Sequence, residues 1–302
     1  MQGEQLMICT DGQVRTKVEN AIKRLQSFEP PEGYYVAFSG GKDSQCIYHL
    51  CQMAGVKFDA HYSVTSVDPP ELVHFRKRQY PDVIFDLPRY ADGSRITMWN
   101  LIPRKGIPPL RTQRYCCKEL KEASGEGRIV VTGVRLAESA RRKAAHDVAS
   151  IKGKPKTTEK MAHEICADYR FNKSGVLILN DDNDPARRMV EHCYRTQKVM
   201  ANPIVDWETE DVWTYLNVIA KVPHCCLYDQ GHKRLGCIGC PMNVNAAANL
   251  ERWPKYKELY LRAFARMLKT REEAGKDNLH PCDWSTPEKV MEWWLQGKQK
   301  EE

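Results

Sequence analysis

Apolar positions along this chain alternate between two periods, one fitting helices and one fitting buried strands. Val14, Val18, Ala21, Ile22 and Leu25 recur at helical spacing and predict an amphipathic helix over residues 13–27, before the Pro30-Pro31 break. The unbroken run Tyr34-Tyr35-Val36-Ala37-Phe38 then predicts a buried strand. Ser39-Gly40-Gly41 turns it into a helix that carries Cys46, Ile47, Leu50, Cys51 and Ala54 on one face and stops at Gly55. Further strands are predicted over Val56–Val64, Val83–Leu87, Arg128–Arg135 and Val176–Leu179. Helices are predicted over Glu71–Tyr80, from Cys116 onward, over Thr209–Leu216 and Trp253–Leu268, and at Pro287–Leu295, where Val290, Trp293 and Trp294 form the apolar face. Residues 143–172 show neither period and read as a basic, irregular loop or inserted lobe. Strands alternating with helices predict an α/β fold built on a doubly wound, mostly parallel sheet.

With 302 residues the chain is long enough for a large α/β domain with an appendage. The pattern divides it into an N-terminal helix (1–30), a nucleotide-binding α/β domain (31–220) and a cysteine-rich helical C-terminal region (221–302). No apolar run approaches the roughly 20 residues of a membrane span. The first residues lack the basic and apolar regions of a signal peptide, so a cytoplasmic location is the expectation. The net charge of +7 is too modest to imply nucleic acid alone, although Arg104–Lys121 and Arg135–Lys160 are locally basic.

The first chemistry lies in Ser39-Gly40-Gly41-Lys42-Asp43-Ser44. A strand, a glycine-rich turn and a helix aim backbone N–H groups and the positive helix end at an anion. Ser39 and Ser44 add hydroxyls, and Asp43 is placed to hold a Mg²⁺ bridging phosphate oxygens. The spacing excludes a Walker A loop and the Rossmann G-x-G-x-x-G. Thr65 and Asp68, in the loop after the second strand, fit contacts to adenosine or ribose as well as they fit plain turn chemistry. Gly133, Arg135, Glu138, Ser139, Arg141 and Arg142 follow a strand at the ligand edge of such a sheet, where arginines clamp anions bidentately.

The second chemistry lies in the cysteines, twelve in all. Cys116-Cys117 and Cys237-Ile238-Gly239-Cys240 can supply four thiolates to one centre, which suits a structural Zn²⁺ or an iron–sulfur cluster. A vicinal pair is awkward for one tetrahedral ion, and Pro241 follows the last cysteine, so a [4Fe–4S] cluster is favoured. Cys225-Cys226 compete for a place in that set.

The six-residue run resembles the PP-loop of the ATP pyrophosphatase superfamily, whose members cleave ATP between the α- and β-phosphates. Together with Val67-Asp68-Pro69-Pro70-Glu71, Gly133-Val134-Arg135, Asn202-Pro203-Ile204, Asp211-Val212-Trp213, Leu227-Tyr228-Asp229 and the Cys237–Pro241 run, it makes the chain resemble the phosphoadenosine phosphosulfate (PAPS) reductase family. That resemblance covers residues 34–245 and implies the Rossmann-like adenine-nucleotide α-hydrolase fold. It also implies a cluster on Cys116, Cys117, Cys237 and Cys240. Two features depart from sulfonucleotide reductases: the Glu-Cys-Gly-type motif is missing, with Cys282 in unmatched surroundings, and the PP-loop is intact. The pattern is closer to CysH-like proteins of DNA phosphorothioation and of CRISPR or phage loci. It is also similar to the nucleotide-binding subunit of ATP sulfurylase, which lacks the cluster cysteines.

The resulting expectation is an iron–sulfur PP-loop enzyme that cleaves ATP to AMP and pyrophosphate and so activates an acceptor in a sulfur-transfer pathway. Lys42, Asp43 and Arg135 are its expected catalytic residues. Ser39, Gly40, Gly41, Ser44, Asp68, Gly133, Glu138 and Arg142 join them in binding the nucleotide. The alternatives are a PAPS or adenylyl-sulfate (APS) reductase, and a non-catalytic nucleotide-binding subunit of a nucleic-acid-directed defence complex. The expected cofactors are the [4Fe–4S] cluster and Mg²⁺ with ATP. The partners these readings admit are an adenine nucleotide, a nucleic acid or protein of a defence or sulfur-transfer system, and a second copy of the chain.

Overall fold

The computed structural model describes residues 2–122, 124–138, 147–180, 182–193, 195, 197–279 and 282–296, with residues 2–11 described by backbone alone. Its centre is an eight-stranded sheet in the order β3-β2-β1-β4-β8-β5-β7-β6. Strands β1 (Tyr34–Ala37), β2 (Phe58–Ser63), β4 (Ile129–Val131) and β8 (Lys198–Ala201) run parallel, with Val36 opposite Ala60 on one side and Val131 on the other. Every residue of β4 is buried, as a parallel strand covered on both faces requires. The expected α/β, mostly parallel, doubly wound sheet is the fold of this chain. β3 (Ile84–Asp86) forms one edge.

Beyond β8 the sheet continues through β5 (Ala149–Lys152), β7 (Leu177–Leu179) and β6 (Tyr169–Phe171), all antiparallel to their neighbours. Residues 149–171 are therefore ordered where the hydropathy pattern predicts an irregular loop. Short strands and the polar helix Pro155–Glu164 carry too few apolar positions to reveal a period, and their burial comes from packing.

The chain groups into two compact units, each assembled from segments distant in sequence. The first unit comprises 1–62, 75–84 and 125–226; the second comprises 63–74, 85–124 and 227–302. The N-terminal helix, longer than predicted at Gln2–Ser27, thus belongs to the first unit, where Val14, Val18, Ala21 and Leu25 are buried. The cysteine-rich region instead collects earlier segments, because apolar side chains distant in sequence share one core. In the second unit the rings of Tyr260, Phe264 and Trp294 pack together in tilted and edge-on contacts, Trp99 and Tyr260 meet edge to face, and the Trp294 indole donates to the Pro109 carbonyl at 2.7 Å. Trp294 is a core residue, as expected, while Trp293 is half-buried against Trp284.

Candidate functional site

In the first unit β1 hands the chain to the helix Lys42–Ala54 through Phe38–Gly41. Gly40 has φ +79°, the left-handed region that a side chain disfavours, so the reversal at this point needs glycine. Gly41, at the helix N-cap, is extended (φ −78°, ψ 161°) and supplies no side-chain cap. The first-turn N–H groups therefore open toward the loop, where they and the helix dipole favour an anion. Ser44 Oγ donates to the Gly41 carbonyl at 2.8 Å and lies 3.1 Å from Ser39 Oγ, so both hydroxyls sit inside the turn.

Two cations converge behind this turn on one carboxylate. Lys42 Nζ lies 2.9 Å from Asp43 Oδ2, and Arg135 Nε lies 2.7 Å from Asp43 Oδ1. Lys42 and Arg135 are buried, with only 4% and 2% of their surface exposed, whereas the Asp43 side chain keeps 21% exposed. Arg135 also donates through Nη1 to the Trp207 carbonyl at 3.2 Å and to Thr209 Oγ1 at 3.4 Å. Asp43 thus holds two buried cations beside the anion-attracting end of the helix. Gly133 is required by close approach: a Cβ there would stand 2.9 Å from the Asp43 carbonyl oxygen. The end of β4 thus lies directly against the first turn of the helix. On the far side of that turn, burial pushes the Cys46 thiol well up, which keeps it protonated and inert.

The first unit thereby brings together Ser39, Gly40, Gly41, Lys42, Asp43, Ser44, Gly133 and Arg135. Glu138 closes a short 3₁₀ turn, its amide donating to the Arg135 carbonyl at 3.3 Å. Arg142, with Ser139 and Arg141, lies outside the described residues. Asp68 belongs to the second unit, where its carboxylate accepts from Thr65 and lies near Cys237, and its carbonyl accepts from Tyr256. The Trp207 carbonyl, Thr209 and Arg76 join the first site without having been expected there. A backbone acceptor leaves no mark in a sequence, but an arginine on the apolar face of the helix Pro70–Gln79, beside Leu72 and Phe75, is a legible signal.

In the second unit Cys116, Cys117, Cys237 and Cys240 are free thiols of intermediate exposure. Cys116 feels Cys117, Cys237 and Cys240 electrostatically, so the four share one neighbourhood. The hydrogen bond between the vicinal pair raises Cys116 and pulls Cys117 down against the effect of burial, aided by Arg114, whose Nη2 lies 3.3 Å from Cys117 Sγ. Burial pushes Cys237 up to about 11, opposed by Lys121. The buried Thr65–Asp68 pair (3.0 Å) faces Cys237 Sγ at 3.9 and 3.7 Å. The Cys-x-x-Cys turn itself is pinned by the Ile238 amide to the Val67 carbonyl (2.8 Å) and by Tyr260 Oη to the Ile238 carbonyl (2.9 Å). Among the described residues no three His, Cys, Asp or Glu side chains converge tightly enough for one metal ion. Cys225 and Cys226 fall in the first unit, the former buried and the latter exposed.

Such a sheet, with a glycine-rich turn opening a helix beneath paired cations, has the form of a nucleotide-binding α/β fold. The model of the phosphoadenosine phosphosulfate reductase domain matches residues 33–243, and the chain belongs to that family. It is 25% identical over 248 residues to an uncharacterised protein of Methanocaldococcus jannaschii, an alignment covering 80% of this chain and 48% of that one. It is also 41% identical to an adenosine 5'-phosphosulfate reductase of Neisseria meningitidis over 54 residues, 17% of this chain and 22% of the relative. The chain thus spans about half or less of the length of these curated relatives. Among solved structures it is similar to a phosphoadenylyl-sulfate (PAPS) reductase from Candida auris (TM-score 0.44, 16% identity, 76% of this chain and 93% of that one). An FMN adenylyltransferase from Candida glabrata gives TM-score 0.42 and 14% identity over 76% of this chain and 64% of that one.

Proposed function

We propose that this chain is a PP-loop enzyme that binds ATP and cleaves it between the α- and β-phosphates, activating an acceptor in a sulfur-transfer reaction. The observation that carries the reading is the convergence of Lys42 and Arg135 on Asp43 beneath the uncapped helix end, at 2.9 and 2.7 Å. In the proposed step an acceptor oxygen attacks the α-phosphorus, and the bond from that phosphorus to the α,β-bridging oxygen breaks. The acceptor leaves as its adenylate, the electron pair goes with the bridging oxygen, and pyrophosphate departs. Charge growing on the leaving oxygens is the quantity that buried, preorganised cations stabilise best. Asp43 holds both cations in place, which is its first role here.

Asp43 also suits Mg²⁺. Each of its oxygens retains a second lone pair, and one-fifth of the side chain is open to solvent. Magnesium is commonly held by one carboxylate together with substrate phosphates and water, and bound so it would neutralise phosphate charge. The four thiols of the second unit suit a [4Fe–4S] cluster because four cysteine sulfurs that influence one another electrostatically are the donor set such a group takes. Cys116, Cys117, Cys237 and Cys240 would hold it, and it would supply redox chemistry or a structural tie. Lys121 beside Cys237 favours the thiolate form such a group needs.

A sulfonucleotide reductase is the second reading, favoured by the family itself and by the 54-residue similarity to an adenosine 5'-phosphosulfate reductase. Incubation with ATP and Mg²⁺, and separately with PAPS or APS and a thiol donor, separates the two. Pyrophosphate release supports the first reading. Sulfite release without pyrophosphate overturns it in favour of the second.

A further inference from the structure

A full positive charge lies buried behind the phosphate loop, on a residue outside the motif. Arg76 is 1% exposed, donates through Nη1 to the Ser39 carbonyl at 2.7 Å, and stacks its guanidinium 3.5 Å above the Tyr62 ring. All three residues belong to the first unit. The Ser39 carbonyl and the Gly40 N–H are the two ends of one peptide group, and in a planar trans peptide they point in opposite directions. Tying the carbonyl inward therefore turns the Gly40 N–H outward, to the side a phosphate approaches. The same peptide precedes the left-handed Gly40 (φ +79°), a position with no side chain to hold its own orientation. Tyr62 keeps the guanidinium plane fixed, because arginine stacks on aromatic faces while donating from its edge.

We infer that Arg76 is the positioning residue of the phosphate loop: it sets the Ser39–Gly40 peptide so that the loop meets its anion with an N–H. The inference rests on reading the loop as a nucleotide site. Arginine does what lysine cannot here, since a flexible ammonium neither stacks flat on Tyr62 nor donates in a fixed direction.

The test compares wild type, Arg76→Lys and Arg76→Met as full-length protein, by calorimetric titration with ATP and Mg²⁺ and by deuterium uptake of backbone amides. Arg76→Met is expected to bind ATP at least tenfold more weakly, with faster uptake confined to residues 36–46. Arg76→Lys is expected to fall between the two, recovering the charge and not the geometry. ATP affinity within twofold of wild type in Arg76→Met would overturn the inference. So would uptake that rises throughout β1, β4 and β8, the mark of a residue that merely supports the core. If wild type binds no ATP while uptake still rises only over 36–46, Arg76 positions the loop and the nucleotide reading is what fails.

Discussion

Two residues in the first unit carry the strongest local constraints. Asp43 is held between Lys42 and Arg135, and the Arg135 guanidinium is almost fully buried. Breaking a buried ion pair by removing one partner costs about 3–5 kcal/mol. Because the Asp43 side chain is 21% exposed, solvent screens part of this, and about 1–3 kcal/mol is the expectation for Asp43→Asn. Urea denaturation measures that loss, and an unchanged midpoint would contradict the pairing. ATP affinity is expected to change less than turnover in the same variant. Gly133→Ala is a sharper probe, since its Cβ would press on the Asp43 backbone at 2.9 Å. Overpacking of this kind costs about 1–3 kcal/mol. Calorimetry is expected to show ATP binding weakened about tenfold, the effect of 1.4 kcal/mol shifting the first turn of the helix.

Among the elements, the strand–turn–helix at Tyr34–Ala54 was legible because its apolar run, glycines and helical face all point to the same geometry. The helix Met98–Lys105 was hidden by Pro103 within it and Gly106 at its end, although Thr97 and Asn100 form a capping box at its start. Of the antiparallel strands beyond β8, β7 was legible as the apolar run Val176–Leu179, whereas β5 and β6 were hidden because strands of three or four residues have too little sequence to show a period. The cysteine spacing singled out Cys116-Cys117 and Cys237–Cys240 and left Cys225-Cys226 open beside them. It did not reveal that Thr65 and Asp68 face Cys237, because those contacts come from chain distant in sequence. Tyr260 tests how much the Cys-x-x-Cys turn depends on its own unit. Tyr260→Phe leaves the Ile238 carbonyl without its 2.9 Å donor and is expected to cost about 1–3 kcal/mol. Iron retained by anaerobically purified protein is expected to fall with it, and retention equal to wild type would show that the hydroxyl does not support the turn.

For the molecule as a whole, the two units hold two chemistries: a glycine-rich loop beside buried cations, proposed above as an anion site, and a gathering of four free thiols. No described helix is long and apolar enough to cross a membrane. The second chemistry is tested by composition. Anaerobic preparations are expected to carry iron and acid-labile sulfide in equal amounts, and Cys237→Ser to lose both. Stoichiometric zinc without sulfide would contradict the cluster. The first chemistry is tested by ligand binding, and Gly41 is the best place to probe it. Its extended backbone (φ −78°, ψ 161°) is one that any residue adopts, so Gly41→Val is expected to keep the fold while adding a branched side chain at the N-cap of the helix. Titration calorimetry of ATP with Mg²⁺ into wild type and Gly41→Val is the most direct measurement. Binding to wild type that the variant loses by tenfold or more, with both proteins melting together, is the expected result. Equal affinity in both proteins, or none in wild type, would contradict a nucleotide site at this loop.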